Sequence, residues 1–233
     1  MSSVRSRLDA LAGGVVVSCQ AGPESPLNQP RMIAALAASS ERGGAVGFRV
    51  DGAANISAVR AVSQLPIIGI AKQPHDGFDV FITPTLGSAL EVVAAGAEIV
   101  AIDGTARPRP GNEGFADIVQ TVHAETGAAV MADIATCDEA MAAFDVGADV
   151  VATTLAGYTT YSTDRSEPAF AVLEQVASLG GRVIVEGRIW TVEHVARCFE
   201  LGAFAVVIGS AVTVPEFITR RFVAAIGSAV LPG

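Results

Sequence analysis

The chain has 233 residues, 51% of them hydrophobic and only 17% charged, where about 25% charged is usual, so a large share of its side chains must be covered. A net charge of −9 argues against a nucleic-acid partner, whose binders are more often basic. No uninterrupted apolar run approaches the roughly 20 residues of a membrane helix. Cys19, Cys137 and Cys198 are odd in number and widely spaced. That suits a reducing cytoplasm better than a disulfide framework or a metal clamp.

Ser2 to Leu11 reads as a short helix that breaks at Gly13-Gly14. Val15–Ser18 is the first strand, and Cys19-Gln20 its exit. A proline-rich loop leads to a helix over Met32–Arg42, which stops at Gly43-Gly44. The alternation continues with strand Ala45–Arg49, then helix Asn55–Val62 with Asn55 as its expected N-cap. Strands Ile67–Ala71, Ile99–Asp103 and Ala129–Asp133 follow, separated by helices Leu86–Ala95 and Gly114–Thr126. Helix Cys137–Val146, strand Asp149–Thr153 and helix Pro168–Leu179 come next, the last with proline at its start. Strand Val183–Glu186, helix Thr191–Leu201, strand Ala205–Ile208 and helix Pro215–Ala225 complete eight β–α units.

A glycine followed by alanine or glycine recurs at Gly43, Gly96, Gly147 and Gly202, about every second unit. Eight regular units in this length predict an α/β fold, a single (β/α)8 TIM barrel preceded by a short helix. No linker or composition shift divides residues 1–233, so one domain is expected.

In such barrels, polar residues at the carboxyl ends of strands read as site residues. Here those ends carry Gln20, Arg49, Lys72, Asp103, Asp133, Thr153-Thr154, Glu186 and Gly209-Ser210. Asp103 and Asp133 could instead cap the next helix, and Arg49 could be a scaffold ion pair. Lys72 ends five apolar residues and is harder to read as structure. Lysine and glutamate can serve as base and acid when burial and neighbours shift their pKa values. Glu186-Gly187-Arg188 and Gly209-Ser210 follow strands seven and eight, where barrels often hold phosphate on backbone N–H groups. His123 and His194 read as structural, and His75 sits in the loop after Lys72. No His/Asp/Glu cluster argues for a metal.

Several stretches carry a family resemblance. They include Val17-Ser18-Cys19-Gln20-Ala21, Gly43 to Arg49, Leu65 to Lys72, Phe81 to Thr85, Arg107-Pro108-Arg109-Pro110, Met131 to Ile134, Thr153 to Thr159 and Glu186 to Ile189. From about Gly13 to Phe222 the sequence resembles the N-acetylmannosamine-6-phosphate 2-epimerases. The resemblance implies interconversion of N-acetylmannosamine 6-phosphate and N-acetylglucosamine 6-phosphate in amino-sugar or sialic acid catabolism. It also implies a TIM barrel with no metal or organic cofactor. Residue by residue, it makes Lys72 the base at C2 and Glu186 the acid/base of ring opening. Gln20, Arg49 and Asp133 become the groups that hold the sugar, and Gly187, Arg188, Gly209 and Ser210 the phosphate site. Gly104, Trp190 and Val214 depart from the family, which there more often has alanine, a polar residue and arginine.

The expected partner is a small sugar phosphate, with no nucleic acid or membrane, and a homodimer fits the apolar composition. Two other readings stay open. One is a phosphosugar isomerase or synthase on a phosphate-binding barrel. The other is a non-catalytic sugar-phosphate sensor, which should have lost Lys72 or Glu186.

Overall fold

A computed structural model of the chain describes residues 4–162 and 166–229. Eight parallel strands close into a barrel in sequence order, with the first hydrogen-bonded to the last. The strands are β1 (Val15–Cys19), β2 (Gly47–Asp51), β3 (Ile67–Ile70), β4 (Ile99–Asp103), β5 (Ala129–Asp133), β6 (Val150–Ala152), β7 (Val183–Glu186) and β8 (Ala205–Ile208). Helices α2 (Pro30–Arg42), α3 (Ala53–Arg60), α4 (Leu86–Ala94), α5 (Phe115–Thr126), α6 (Cys137–Asp145), α7 (Phe170–Ser178) and α8 (Val192–Glu200) alternate with them. After β8 come a short helix, α9 (Ser210–Thr213), and a long one, α10 (Pro215–Ala229). The predicted (β/α)8 barrel is the observed fold.

Strand side chains alternate between two environments. Val17, Phe48, Val50, Ile67, Val100, Ile102 and Val130 pack against the helix layer, and Val151, Val183, Val185, Val206 and Ile208 do so on the other half. The opposite set, Val16, Ile68, Ile99, Ala129, Val150, Ile184 and Ala205, fills the barrel interior. Burying each Val or Ile fully is worth about 1.5–3 kcal/mol, and because both faces are covered the strands read as unbroken apolar runs.

The helix before the barrel, α1 (Val4–Asp9), plugs the bottom: Leu8 and Leu11 join the interior cluster. Gly47 makes room for this plug. A Cβ there would lie 2.6 Å from Leu11 Cδ2 and 3.0 Å from the Pro66 carbonyl oxygen. Residues 2 and 3 of the expected helix lie outside the described residues.

Several boundaries differ from expectation. Strand β2 starts and ends two residues later than the apolar pattern suggests, so Arg49 lies inside it rather than at its exit. Asn55 is not the N-cap of α3. That position is Gly52, and the Asn55 amide donates to the Asp51 carbonyl at 2.8 Å. Pro168 precedes α7 by two residues instead of opening it. Thr153 leaves β6 and begins a single turn of tighter helix. By contrast Thr136 and Glu139 form a reciprocal capping box at α6, a pairing their spacing encodes.

Candidate active site

The interior positions change character toward the carboxyl end of the barrel. In β5 the inward series runs Ala129, Met131, Asp133; in β3 it runs Ile68 and Ile70 and reaches Lys72 just beyond the strand. Alternation brings Arg49 of β2 and Glu186 of β7 onto the same face. The rigid ladder, not a loop, sets where these groups sit.

Arg49 is 1% exposed and Asp133 is fully buried. Arg49 Nη1 and Nη2 donate to Asp133 Oδ1 and Oδ2 at 2.9 and 2.6 Å. Arg49 Nη1 also lies 2.7 Å from Glu186 Oε2. The Thr154 hydroxyl is 2.7 Å from Asp133 Oδ1 and 3.1 Å from Glu186 Oε2, and with one proton it donates to one of them at a time. Thr153 fixes the Glu186 backbone, its Oγ1 accepting from Glu186 N and donating to Glu186 O, both at 3.1 Å.

Burial works against the Arg49 charge, but the carboxylates of Asp133 and Glu186 outweigh it and hold the guanidinium above its ordinary value. Glu186 responds in the other direction. Burial raises its pKa most strongly; Arg49 opposes this and the nearby Asp133 charge adds to it. One guanidinium cannot neutralise two carboxylates in a dry site. Asp133 holds the bidentate contact, so Glu186 is the group driven toward its protonated form.

Lys72 reaches the same place from β3. Its backbone N–H donates to Asp51 Oδ1 at 2.9 Å, and it pairs with Ile82 across a short antiparallel bridge. Its charge counts among the influences on Glu186. Gln20, Arg49, Lys72, Arg107, Thr154 and Glu186 line one narrow cleft of about 330 Å³, with Ile70, Phe81, Ile82, Leu155 and Tyr158 as its apolar walls. Asp133 lies behind Arg49 and does not line this cleft. Gln20 donates from Nε2 to Ser18 Oγ at 2.8 Å, while its buried Oε1 has no partner among the described residues.

A wider cleft of about 1200 Å³ adjoins the narrow one and shares Gln20, Lys72, Thr154 and Glu186 with it. Gly187, Arg188, Gly209 and Ser210 line it, so all four expected phosphate residues are brought together. Gly187 and Arg188 both have positive φ, 102° and 59°, a turn that glycine adopts freely and arginine rarely. The Arg188 guanidinium donates to the Ala156 and Gly157 carbonyls at 2.9 and 3.4 Å and lies 4.3 Å from the Tyr158 ring centroid. It therefore braces the loop after β6 as well as facing the cleft. His75 lines neither cleft; it pairs with Phe78 at the tip of the hairpin after β3. Among the described residues, no cluster of three His, Cys, Asp or Glu side chains is suited to a metal.

A family model described as "Putative N-acetylmannosamine-6-phosphate epimerase" matches residues 33–228. The chain belongs to the N-acetylmannosamine-6-phosphate epimerase family. A relative of that name from Clostridioides difficile is 41% identical over 94% of this chain and 98% of its own length. Another from Cutibacterium acnes is 43% identical over 95% of this chain and 98% of its own length. The solved N-acetylmannosamine-6-phosphate 2-epimerase from Clostridium perfringens superposes with a TM-score of 0.91 at 38% identity, over 94% of this chain and 95% of that one. A thiamine phosphate pyrophosphorylase from Pyrococcus furiosus, at 14% identity and a TM-score of 0.59, shares the fold.

Trp190 and Val214, expected from the resemblance to differ from the family, both line the wide cleft. Trp190 is covered by Arg221 from α10, whose guanidinium carbon lies 4.2 Å from its ring centroid. Sequence reading puts Thr154 at a strand exit and Arg107 in a stretch that carries the family resemblance, neither with a role, and passes over Asp51. Asp51 escaped because the strand before it was read two residues short. Arg107 sits in a loop, where no periodicity signals which way a side chain turns.

Proposed function

We propose that the chain interconverts N-acetylmannosamine 6-phosphate and N-acetylglucosamine 6-phosphate by removing and returning the proton at C2. The observation that carries this reading is that Lys72 and Glu186, 114 positions apart in the numbering, open onto one narrow cleft with Arg49 at its base. Glu186, biased toward its protonated form, can donate to the ring oxygen as the C1–O5 bond breaks, while the C1 hydroxyl gives its proton to water and becomes the aldehyde. The exposed aldehyde acidifies the C2 proton, which the Lys72 amine takes. Asp133 acts through Arg49, whose position it fixes, and the unpartnered Gln20 Oε1 is suited to accept from a sugar hydroxyl or amide. The N–H groups around Gly187, Arg188, Gly209 and Ser210 suit the phosphate, since each glycine lets backbone approach an anion closely.

The sensor reading is disfavoured because both proton-transfer groups are present. The reaction involves no net oxidation or reduction, so no redox cofactor is called for, and the side chains named here supply the proton transfers. We assign residues 1–233 to one domain, in the cytoplasm, with a role in amino-sugar catabolism that includes sialic acid breakdown. Free cysteines at positions 19, 137 and 198 suit that compartment. We also infer a homodimer: α10 leaves Phe222, Val223 and Ile226 at 74%, 59% and 60% exposure, an apolar face that calls for a cover.

The test is conversion. Purified protein given N-acetylmannosamine 6-phosphate should yield the C2 epimer, followed by proton NMR until the ratio stops changing. Binding of the sugar phosphate with no epimer formed would overturn the reading in favour of a sensor.

A further inference from the structure

We propose that Arg107 is a catalytic residue that donates a hydrogen bond to the oxygen on which charge develops when C2 loses its proton. The proposal rests on the epimerase reading and adds a group to its chemistry. When the Lys72 nitrogen takes the C2 proton, the C–H electron pair becomes the C1–C2 double bond and the carbonyl π pair moves onto O1. The process reverses when rotation about C2–C3 presents the opposite face of C2 and the Lys72 ammonium returns its proton there, which reforms the C1 carbonyl and leaves the amine neutral, with no net change in atoms or electrons. The oxyanion at O1 needs a donor already in place, because fixed donors in a water-poor site stabilise it without reorganising.

Arg49 is poorly placed to supply that donor. Both of its terminal nitrogens are engaged by Asp133 and Glu186, so its charge is already matched, and the one nitrogen without a partner among the described residues, Nε, is buried on the chain side of the guanidinium. Lys72 must be neutral at the start of the step and gains its charge only as the proton arrives. Among the described residues lining the narrow cleft, Arg107 is the remaining cation.

Its mounting is that of a site residue. Nη2 donates to Asp103 Oδ2 at 2.6 Å and Nε to Thr105 Oγ1 at 3.0 Å. Asp103 is fully buried at the end of β4, and its Oδ1 accepts from the Thr105 N–H and hydroxyl at 3.0 and 2.7 Å. Arg109 Nη2 ties the same loop to the Asp103 carbonyl at 2.8 Å. Arg107 Nη1 makes no hydrogen bond among the described residues, which leaves it for a ligand. A guanidinium held on two sides by a buried carboxylate and a hydroxyl, on a residue that lines the cleft and with its third nitrogen unpartnered, is pre-organised to donate.

The test compares wild type, Arg107→Ala and Arg107→Lys with N-acetylmannosamine 6-phosphate, with and without added guanidinium ion. Arg107→Ala should lose about a hundredfold in kcat, the scale of one oxyanion donor, with KM moving less than about threefold because the contact is made in the transition state. Guanidinium should restore part of that rate to Arg107→Ala and none to Lys72→Ala, and Arg107→Lys should fall in between. Unchanged kcat, a loss confined to KM, or a loss that comes with a lowered unfolding midpoint and no guanidinium rescue would overturn the role. A wild-type protein that forms no epimer would instead overturn the epimerase reading itself.

Discussion

Arg49 and Asp133 lie on strands β2 and β5, yet meet inside the barrel through hydrogen bonds of 2.9 and 2.6 Å between nearly inaccessible groups. Breaking a buried pair of this kind by removing one partner costs about 3–5 kcal/mol, because the other charge is left stranded. In Asp133→Ala the Glu186 carboxyl at 2.7 Å still partners Arg49, so the loss should fall at the low end of that range, about 3 kcal/mol, measured by urea unfolding. The double variant Arg49→Met, Asp133→Leu should recover most of that loss and remain inactive. A double variant as unstable as the single one would show that the pair matters for something other than charge balance.

Lys72→Ala should lose at least about a thousandfold in turnover, within the range of general acid–base catalysis. Its fold should survive, because Lys72 is exposed at the rim and contributes no core packing. Circular dichroism and the thermal midpoint should match wild type. Near-normal epimerisation by this variant would remove Lys72 as the base.

Glu186 links activity to stability with opposite signs. Its carboxyl is raised in the folded state, mainly by burial, so the folded protein holds a proton that the unfolded chain has released. The stabilisation from this group is full below the ordinary carboxylate range and is lost as pH rises through the raised value. Glu186→Gln keeps an acceptor for Arg49 and Thr154 and has no proton to lose. It should be inactive, yet gain stability relative to wild type as the pH is raised from the acid side toward neutrality. Parallel stability profiles for the two proteins would contradict the raised carboxyl.

The two phosphate segments can be separated by substrate. Arg188→Ala should weaken binding of N-acetylmannosamine 6-phosphate more than of N-acetylmannosamine, measured by calorimetry. Equal loss for both sugars would assign Arg188 to bracing the loop through Ala156 and Gly157 alone. The Phe222→Glu, Ile226→Glu variant addresses assembly: light scattering should give a dimer for wild type and a monomer for the variant.

Much of this was legible in the chain. Continuous apolar strands ending in single polar residues predicted the barrel and brought Lys72 and Glu186 to one rim. The register of β2 was not legible, because Ala45-Val46 is as apolar as the strand itself and hides where pairing begins. That shift moves Arg49 one layer down, where it binds Asp133 and Glu186 instead of standing at the rim. The role of Arg107, as distinct from its place in a family stretch, was hidden for a different reason. Its orientation depends on Asp103 and Thr105, contacts that pattern and propensity do not encode. Arg188 matched its expected cleft, while its bonds to Ala156 and Gly157 depend on a loop conformation that only the fold supplies.

The central claim is that C2 loses and regains a proton through the Lys72 amine. Incubating the protein with N-acetylmannosamine 6-phosphate in deuterated water and reading C2 by NMR tests it most directly. The account predicts deuterium at C2 of the epimer with wild type, and neither exchange nor epimer with Lys72→Ala. Epimer or C2 exchange that persists at a near wild-type rate in Lys72→Ala would contradict it.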